Sequence, residues 1–380
     1  MKKYDYIILG AGPAGLQLTM ALLEDTFFKG KSILIIDQLS KTANDRTWCF
    51  WESNSGKWDH LVSKSWSLIS VGQKKLNEYK LTPSKYKMIQ GVDFNSYALS
   101  KLRASEQVEI VKETVVDVSV NKGLVKTNLQ EYVGEFVFDS IVKDYKLKSY
   151  DTWLKQHFVG WKIKTETPSF NPDVAYFMDF RVSQQGNTRF MYVLPSSETE
   201  ALVEYTLFSE DELSEVEYES NIQDYITNHL EVEQYEVIEK ERGVIPMTNF
   251  AFDKRGTKNY MPIGTAGGWT KASTGFTFKY IEKKVAIVVE QLKSGALNST
   301  SLVKSKYRFY DSVLLHVLKH NNEIGGEIFE RIFENNKTET ILRFLDETST
   351  LWEDLKIINS CPKWVFIRSF FQLLKLKITS

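Results

Sequence analysis

Tyr4-Asp5-Tyr6-Ile7-Ile8-Leu9-Gly10-Ala11-Gly12-Pro13-Ala14-Gly15-Leu16 is the stretch whose reading decides the fold. The apolar run from Tyr6 to Leu9 suits a buried parallel strand. Gly10-x-Gly12-x-x-Gly15 follows it directly, and a helix pattern starts at Leu16. Each glycine has its own task in such a turn. Gly10 permits the tight bend, Gly12 lets backbone N–H groups approach a pyrophosphate, and Gly15 lets the helix pack closely on the strand with its N-terminus toward the phosphates. Pro13 and Ala14 complete the loop. A second apolar strand, Ser32 to Ile36, ends in Asp37, where a carboxylate can hold a ribose hydroxyl. Strand, glycine turn, helix, strand and acid in this order predict a dinucleotide cradle of Rossmann type.

A second cradle comes late in the chain. Tyr260 to Ile263 reads as a strand and leads into Gly264-Thr265-Ala266-Gly267-Gly268-Trp269-Thr270-Lys271-Ala272-Ser273-Thr274-Gly275, after which Phe278, Ile281, Val285, Val288, Val289 and Leu292 mark a helix. A nicotinamide dehydrogenase needs one cradle for its pyrophosphate, whereas many FAD enzymes of this fold class add a C-terminal loop beside the flavin ring. The pair of loops points to FAD by fold-level analogy. Gly264, Thr274 and Gly275 therefore join Gly10, Gly12, Pro13, Ala14, Gly15 and Asp37 as expected cofactor-binding residues.

Composition narrows the function classes. Forty-eight Lys and Arg against 49 Asp and Glu leave a net charge of −1, which argues against nucleic acid as the main partner. Cys49 and Cys361 are the only cysteines and form no CxxC pair, so neither a metal site nor a disulfide framework is expected, and a reducing cytoplasm fits. His316 and His320 stand four apart without the intervening Glu of HExxH and read as a helix face. No apolar run is long enough to span a bilayer, and the N-terminus reads as a strand, not a signal peptide. Any membrane contact is expected to be peripheral. With no GxSxG elbow and no GxxxxGK[ST] loop, hydrolase and phosphotransferase readings drop out.

Between the two cradles the fabric changes. Ser40 to Asp59 turns from polar to aromatic through Arg46-Thr47-Trp48-Cys49-Phe50-Trp51, either a local plug or the lining of a cavity. Val159 to Ile163, Val174 to Val182, Arg189 to Leu194 and Ala201 to Phe208 are β-rich runs separated by turn signals and read as an antiparallel meander. Tyr218 to His229 reads as an amphipathic helix. Gly243-Val244-Ile245-Pro246-Met247 is expected to lead back into the first domain. The expected architecture is a mixed α/β chain. Its Rossmann-type FAD-binding domain is discontinuous over 1–50, 90–145 and 243–295, its antiparallel β-sheet substrate domain covers 51–89 and 146–242, and a helical C-terminal region runs from 296 to 380. The tail Lys363 to Lys377 mixes apolar bulk with cations and suits either an interfacial helix or a packed terminal one.

Strand parity isolates one candidate acid. Leu202, Glu204, Thr206 and Phe208 share a face, and Glu204 is the only charge in a run apolar on both sides. Desolvation would raise its pKa, so a neutral acid near pH 7 is one reading and a polar partner for a backbone or Arg group is the other. Asp179, in Tyr176-Phe177-Met178-Asp179-Phe180, stands out in the same way, with Arg181 two residues on as a simple ion-pair partner.

Several stretches together carry a family resemblance. The N-terminal GxGxxG, Arg46-Thr47-Trp48-Cys49-Phe50, Phe158-Val159-Gly160-Trp161, Met178-Asp179-Phe180-Arg181 and Tyr192-Val193-Leu194-Pro195 are followed by Leu202-Val203-Glu204-Tyr205-Thr206, Gly243 to Met247 and Gly267 to Gly275. In number and order these resemble the flavoprotein-type bacterial lycopene β-cyclases over most of the chain. The resemblance implies reduced FAD, NAD(P)H as reductant, no net redox change, and closure of the ψ ends of lycopene, a carotenoid drawn from the membrane, into β-ionone rings. It implies Glu204 as the essential acid, with Asp179 as a second catalytic candidate and Trp48, Trp51, Trp161 and Trp269 as candidate aromatic faces for a carbocation. Two departures stand out. Thr265 occupies the place of the Asp found in related flavin hydroxylases, and Ile141 follows Asp139-Ser140 where the family often has Arg. The competing readings are a redox flavoenzyme of the same fold, either a monooxygenase or a prenyl-chain reductase, and a non-catalytic carotenoid or lipid carrier.

Overall fold

The computed structural model describes residues 1–38, 46–143 and 145–379. The polar start of the Ser40 to Asp59 stretch, through Asp45, lies outside them. The chain forms two compact units, one of Met1–Asn44, Gly91–Leu147 and Phe250–Arg308, the other of Asp45–Gln90, Lys148–Asn249 and Phe309–Ser380.

In the first unit, four buried residues of Lys2–Leu9 sit between two parallel neighbours, Ile33–Asp37 and Glu131–Asp139. Val108–Lys112 flanks Ile33–Asp37, and Tyr260–Pro262 pairs with the end of Glu131–Asp139, both in parallel. Numbered along the chain, these five strands stand in the order 3-2-1-4-5, the Rossmann arrangement. Leu124–Thr127 pairs antiparallel with the start of Glu131–Asp139, on the same edge as Tyr260–Pro262, and Val115–Ser119 extends it. The helix Pro13–Glu24 begins with proline in its first turn, where a missing N–H costs nothing.

The second unit is built on a seven-stranded sheet. Its order is Tyr235–Thr248, Trp153–Thr165, Glu200–Ser209, Thr188–Pro195, Val174–Asp179, Leu68–Gly72 and Asn77–Lys80, antiparallel except where Val174–Asp179 meets Leu68–Gly72. Alternation sorts its side chains. Ala201, Val203, Tyr205 and Leu207 pack with Trp161, Ile163, Met191 and Val193 under the helix Glu215–Asn228. The opposite face carries Leu202, Glu204, Thr206 and Phe208, as the sequence parity predicts. Phe329 of the helix Gly325–Asn335 stacks on Phe180 and meets Phe208 edge-on, covering part of that face. A small sheet, Thr47–Glu52, Lys85–Gln90 and Lys64–Trp66, covers another part, where Trp66 Nε1 donates to the Pro195 carbonyl at 3.2 Å.

One expectation is corrected here. Gly243 to Met247 does not lead back to the first unit but lies inside the fourteen-residue strand Tyr235–Thr248, paired with Trp153–Thr165 apart from a register shift at Ile238. The charge run in its middle, Glu239-Lys240-Glu241-Arg242, hides the strand period from a sequence reading. Pro246 is tolerated because the strand lies at the sheet edge.

Candidate active site

Glu204 does not stand alone. Gly160 is the register partner of Glu204 on one side and of Glu241 on the other, so the three residues form one row across three strands and share one face. Two strand spacings separate the outer residues, roughly 10 Å between backbones. Glycine leaves the middle of that gap empty. Through it the two glutamate side chains reach each other and form a hydrogen bond. A methyl group on Gly160 would lie 3.1 Å from Glu241 Cγ and 3.4 Å from Glu204 Cβ, so the close approach depends on the glycine.

Both carboxyls are buried, each 7% exposed. Burial and the neighbouring carboxylate push Glu204 well above the usual range, against a downward pull from Thr206, whose hydroxyl donates to Glu204 Oε1 at 2.6 Å. Burial raises Glu241 as well, while Thr47 Oγ1 donates to its Oε2 at 2.8 Å. Burial thus favours the neutral form of both carboxyls, and their proximity makes them titrate as a pair in which ionising one opposes ionising the other. The arrangement favours a neutral carboxylic acid that carries a transferable proton in a largely dehydrated place.

Aromatic groups adjoin the pair. Tyr192 is the register partner of Glu204 on the next strand, and its hydroxyl bonds that of Tyr86 at 2.5 Å. Phe177 packs edge-on to both tyrosines, 5.3 Å from Tyr86 and 6.5 Å from Tyr192 between ring centroids. Cys49, on the same face of its strand as Thr47, reaches the two tyrosine hydroxyls, and burial pushes its thiol up to about 12. Burial also holds both tyrosines neutral. Three aromatic rings, Tyr86, Tyr192 and Phe177, and three weakly acidic groups, Cys49 and the two tyrosine hydroxyls, thus adjoin the carboxyl pair.

In the other unit the N-terminal cradle can be tested glycine by glycine. A Cβ on Gly15 would collide with the Gly10 carbonyl at 2.2 Å, and one on Gly10, at φ +96°, would strike Ser140 Oγ at 2.2 Å. The protein itself requires both glycines. Gly12 has an ordinary φ of −77°, and nothing lies within 4 Å of where its Cβ would be. Its absent side chain therefore faces open space at a helix N-terminus that no side chain caps, which is the room a pyrophosphate needs. Asp37 is turned onto the loop, its Oδ2 accepting from the Ala11 N–H at 2.6 Å. Gly264 (φ +59°) brings the late loop to 3.0 Å from Ala14 Cβ, measured from its own would-be Cβ. In that loop Thr274 Oγ1 is buried with no hydrogen-bond partner among the described residues, an orphaned donor of the kind a ligand satisfies. The helix after the loop, Phe278–Ser294, begins after Thr277, in agreement with the spacing of its apolar residues.

The family model described as "Lycopene cyclase protein" matches residues 5–373. The chain belongs to that family. It is 30% identical over 144 residues to a lycopene beta-cyclase of Paracoccus sp., a match covering 35% of each protein. It is 23% identical over 342 residues to a chloroplastic neoxanthin synthase of Solanum tuberosum, covering 81% of this chain and 64% of the relative. The matches thus span between about a third and two thirds of these curated relatives' lengths. Among solved structures, it is similar to a geranylgeranyl bacteriochlorophyll reductase-like protein from Thermoplasma acidophilum, with a TM-score of 0.62 at 13% identity over 98% of this chain and 100% of that one. It is also similar to a flavin-dependent halogenase from Xanthomonas campestris, with a TM-score of 0.57 at 9% identity over 100% and 95% of the chains. These likenesses are likenesses of fold.

The remaining family-derived candidates are spread through the two units. Asp179 is fully buried and taken up by a two-pronged ion pair with Arg181, at 2.6 Å from Nη2, and by the Tyr225 hydroxyl at 2.5 Å. Trp161 lies on the sheet face opposite Glu204, packed under Glu215–Asn228, so it lines that core and not the surroundings of the carboxyl pair. Trp51 is buried with Nε1 donating to Asp346, Trp48 is half-buried beneath the Arg46 guanidinium, and Trp269 is buried in the first unit. Sequence reasoning misses Glu241, Tyr86, Phe177 and the roles of Thr47 and Cys49. Glycine at 160 within a strand was the available signal, since it marks a close approach.

Proposed function

We propose that this chain is a lycopene β-cyclase, an isomerase that closes the ψ ends of lycopene into β-ionone rings, and that Glu204 is its proton donor. The observation that carries the reading is the buried carboxyl pair across Gly160, bordered by aromatic faces. Cyclisation begins when a terminal alkene carbon takes a proton. The tertiary cation formed is attacked by a neighbouring double bond, and the ring then loses a proton, so the mass is unchanged. Glu204 suits the first step because burial and Glu241 keep it protonated, and Glu241 accepts the hydrogen bond that orients that proton. Tyr86, Tyr192 and Phe177 offer π faces to a cation without the basicity that would quench it. Asp179, bound by Arg181 and Tyr225, holds its strand in place.

The Gly12 opening, the uncapped helix start and the unpartnered Thr274 hydroxyl fit FAD, with Gly10, Pro13, Ala14, Gly15, Asp37, Gly264 and Gly275 shaping the two loops. Flavin reduced by NAD(P)H supplies, when bound, negative charge that favours a cationic transition state. The fold kinship with flavin-dependent enzymes supports this cofactor. Expression in a lycopene-accumulating bacterium tests the reading. A product of unchanged mass with cyclic ends is expected, lost in Glu204→Gln while the flavin spectrum stays. A product gaining oxygen or hydrogen would favour the redox readings, a monooxygenase or a prenyl-chain reductase. Bound pigment without turnover would favour a carrier.

A further inference from the structure

The helix Lys363–Thr379 packs through one side only. Ser369 and Leu373 are buried, and Phe370 meets Phe309 edge-on at 5.7 Å. The opposite side carries Trp364, Ile367, Phe371, Leu374 and Ile378, spaced three or four residues apart in one unbroken stripe. All five are exposed, Trp364 by 84%, Phe371 by 64% and Ile378 by 83%. The stripe is about 21 Å long. The preceding helix Leu351–Ser360 likewise leaves Trp352 and Leu355 in the open. Soluble surfaces seldom gather large apolar groups in this way without a partner.

Charge identifies the partner. The helix holds Lys363, Arg368, Lys375 and Lys377 and not one acid, within a chain whose net charge is −1. No helix among the described residues is long and apolar enough to cross a membrane. An apolar stripe with cations beside it, on a helix anchored by its other face, has the make-up of a helix lying in the plane of a lipid surface. We propose that this helix docks the protein onto an anionic bilayer, with the Trp364 to Ile378 stripe in the acyl boundary and the cations at lipid phosphates.

The proposal goes beyond the cyclase reading and stands without it, because its readout is lipid binding. Full-length protein is floated with vesicles of phosphatidylcholine alone or mixed with phosphatidylglycerol, at low and high salt. Binding to the anionic vesicles is expected, weakening with salt. Replacing Lys363, Arg368 and Lys375 together by Gln should weaken it roughly a hundredfold, about fivefold for each cation. Replacing Trp364, Phe371 and Ile378 together by Ser should abolish it. Circular dichroism checks that the variants keep their helix content, and if the Ser variant does not, the Gln variant decides. Equal flotation of wild type and variants, or wild type staying with the soluble fraction, overturns the proposal. So does light scattering that finds a dimer which the Ser variant dissociates and which binds no vesicles, since a second copy would then cover the stripe.

Discussion

Gly160→Ala is the most demanding perturbation of the carboxyl pair. The new methyl would sit 3.0 Å from Leu202 Cδ1, 3.1 Å from Glu241 Cγ and 3.4 Å from Glu204 Cβ. Carbon atoms prefer about 3.5–4.0 Å, so Leu202 Cδ1 and Glu241 Cγ must yield by a few tenths of an ångström, while the contact to Glu204 Cβ is ordinary. Leu202 can turn its chain end aside. Glu204 Cβ is held by its strand, so the displacement falls on the Glu241 side chain and parts the carboxyls. Overpacking of this kind costs about 1–3 kcal/mol, measurable as a lower urea midpoint. Losing a hydrogen bond between a carboxyl and a carboxylate, worth about 1.5–3 kcal/mol, should slow cyclisation roughly ten- to a hundredfold.

The pH dependence follows from the same pair. In the unfolded chain a glutamate titrates near 4.5, whereas folded Glu204 holds its proton to a higher pH. Between those two values the folded state binds more protons, so stability falls as pH rises through that window and is level below it. Adding Glu241→Ala to Gly160→Ala removes both the crowded Cγ and the second charge. It should recover most of the stability, make the fall with pH shallower, and leave the rate low. A Gly160→Ala protein with wild-type urea midpoint, turnover and pH profile would refute the reasoning.

The two cradle glycines should separate cleanly. Gly12→Ala should leave the unfolding free energy from urea denaturation within about 0.5 kcal/mol of wild type and yet lower flavin retention, whereas Gly15→Ala should fail to fold stably, as its Cβ meets backbone. Asp179→Asn breaks a buried ion pair and should cost about 3 kcal/mol in chemical denaturation while turnover per folded molecule is kept; selective loss of turnover would return Asp179 to the chemistry. Both thiols, pushed up to about 12 by burial, should resist iodoacetamide at pH 8 in the native protein and react on unfolding, as mass spectrometry would register.

The first cradle was legible because every part of it is local. Strand, turn and helix lie within Tyr4 to Leu16, and each glycine answers a backbone demand that sequence spacing encodes. Glu204 was legible for a similar reason, as one charge on an apolar strand whose parity the fold keeps. Its partner was not. Glu241 sits in a run of four charges that reads as solvated, and only the register that puts Gly160 between two strands makes it a neighbour of Glu204. Trp161 misled because residue type suggested a cation-stabilising ring, while parity, one residue from Gly160, sends it to the other face. Tyr86 escaped notice because its meeting with Tyr192 depends on one sheet packing over another, which no single-strand pattern records.

The strand carrying Glu241 forms the rim of its sheet, hydrogen-bonded along one side only. Rims fray before interiors do, at free energies well below that of global unfolding. A brief opening there would carry Glu241 away and leave Glu204 a solitary, hydrated carboxyl. The upward shift of the Glu204 carboxyl is thus a property of three chain segments, 160, 204 and 241, in simultaneous contact, and a chain opened at this rim would lose it.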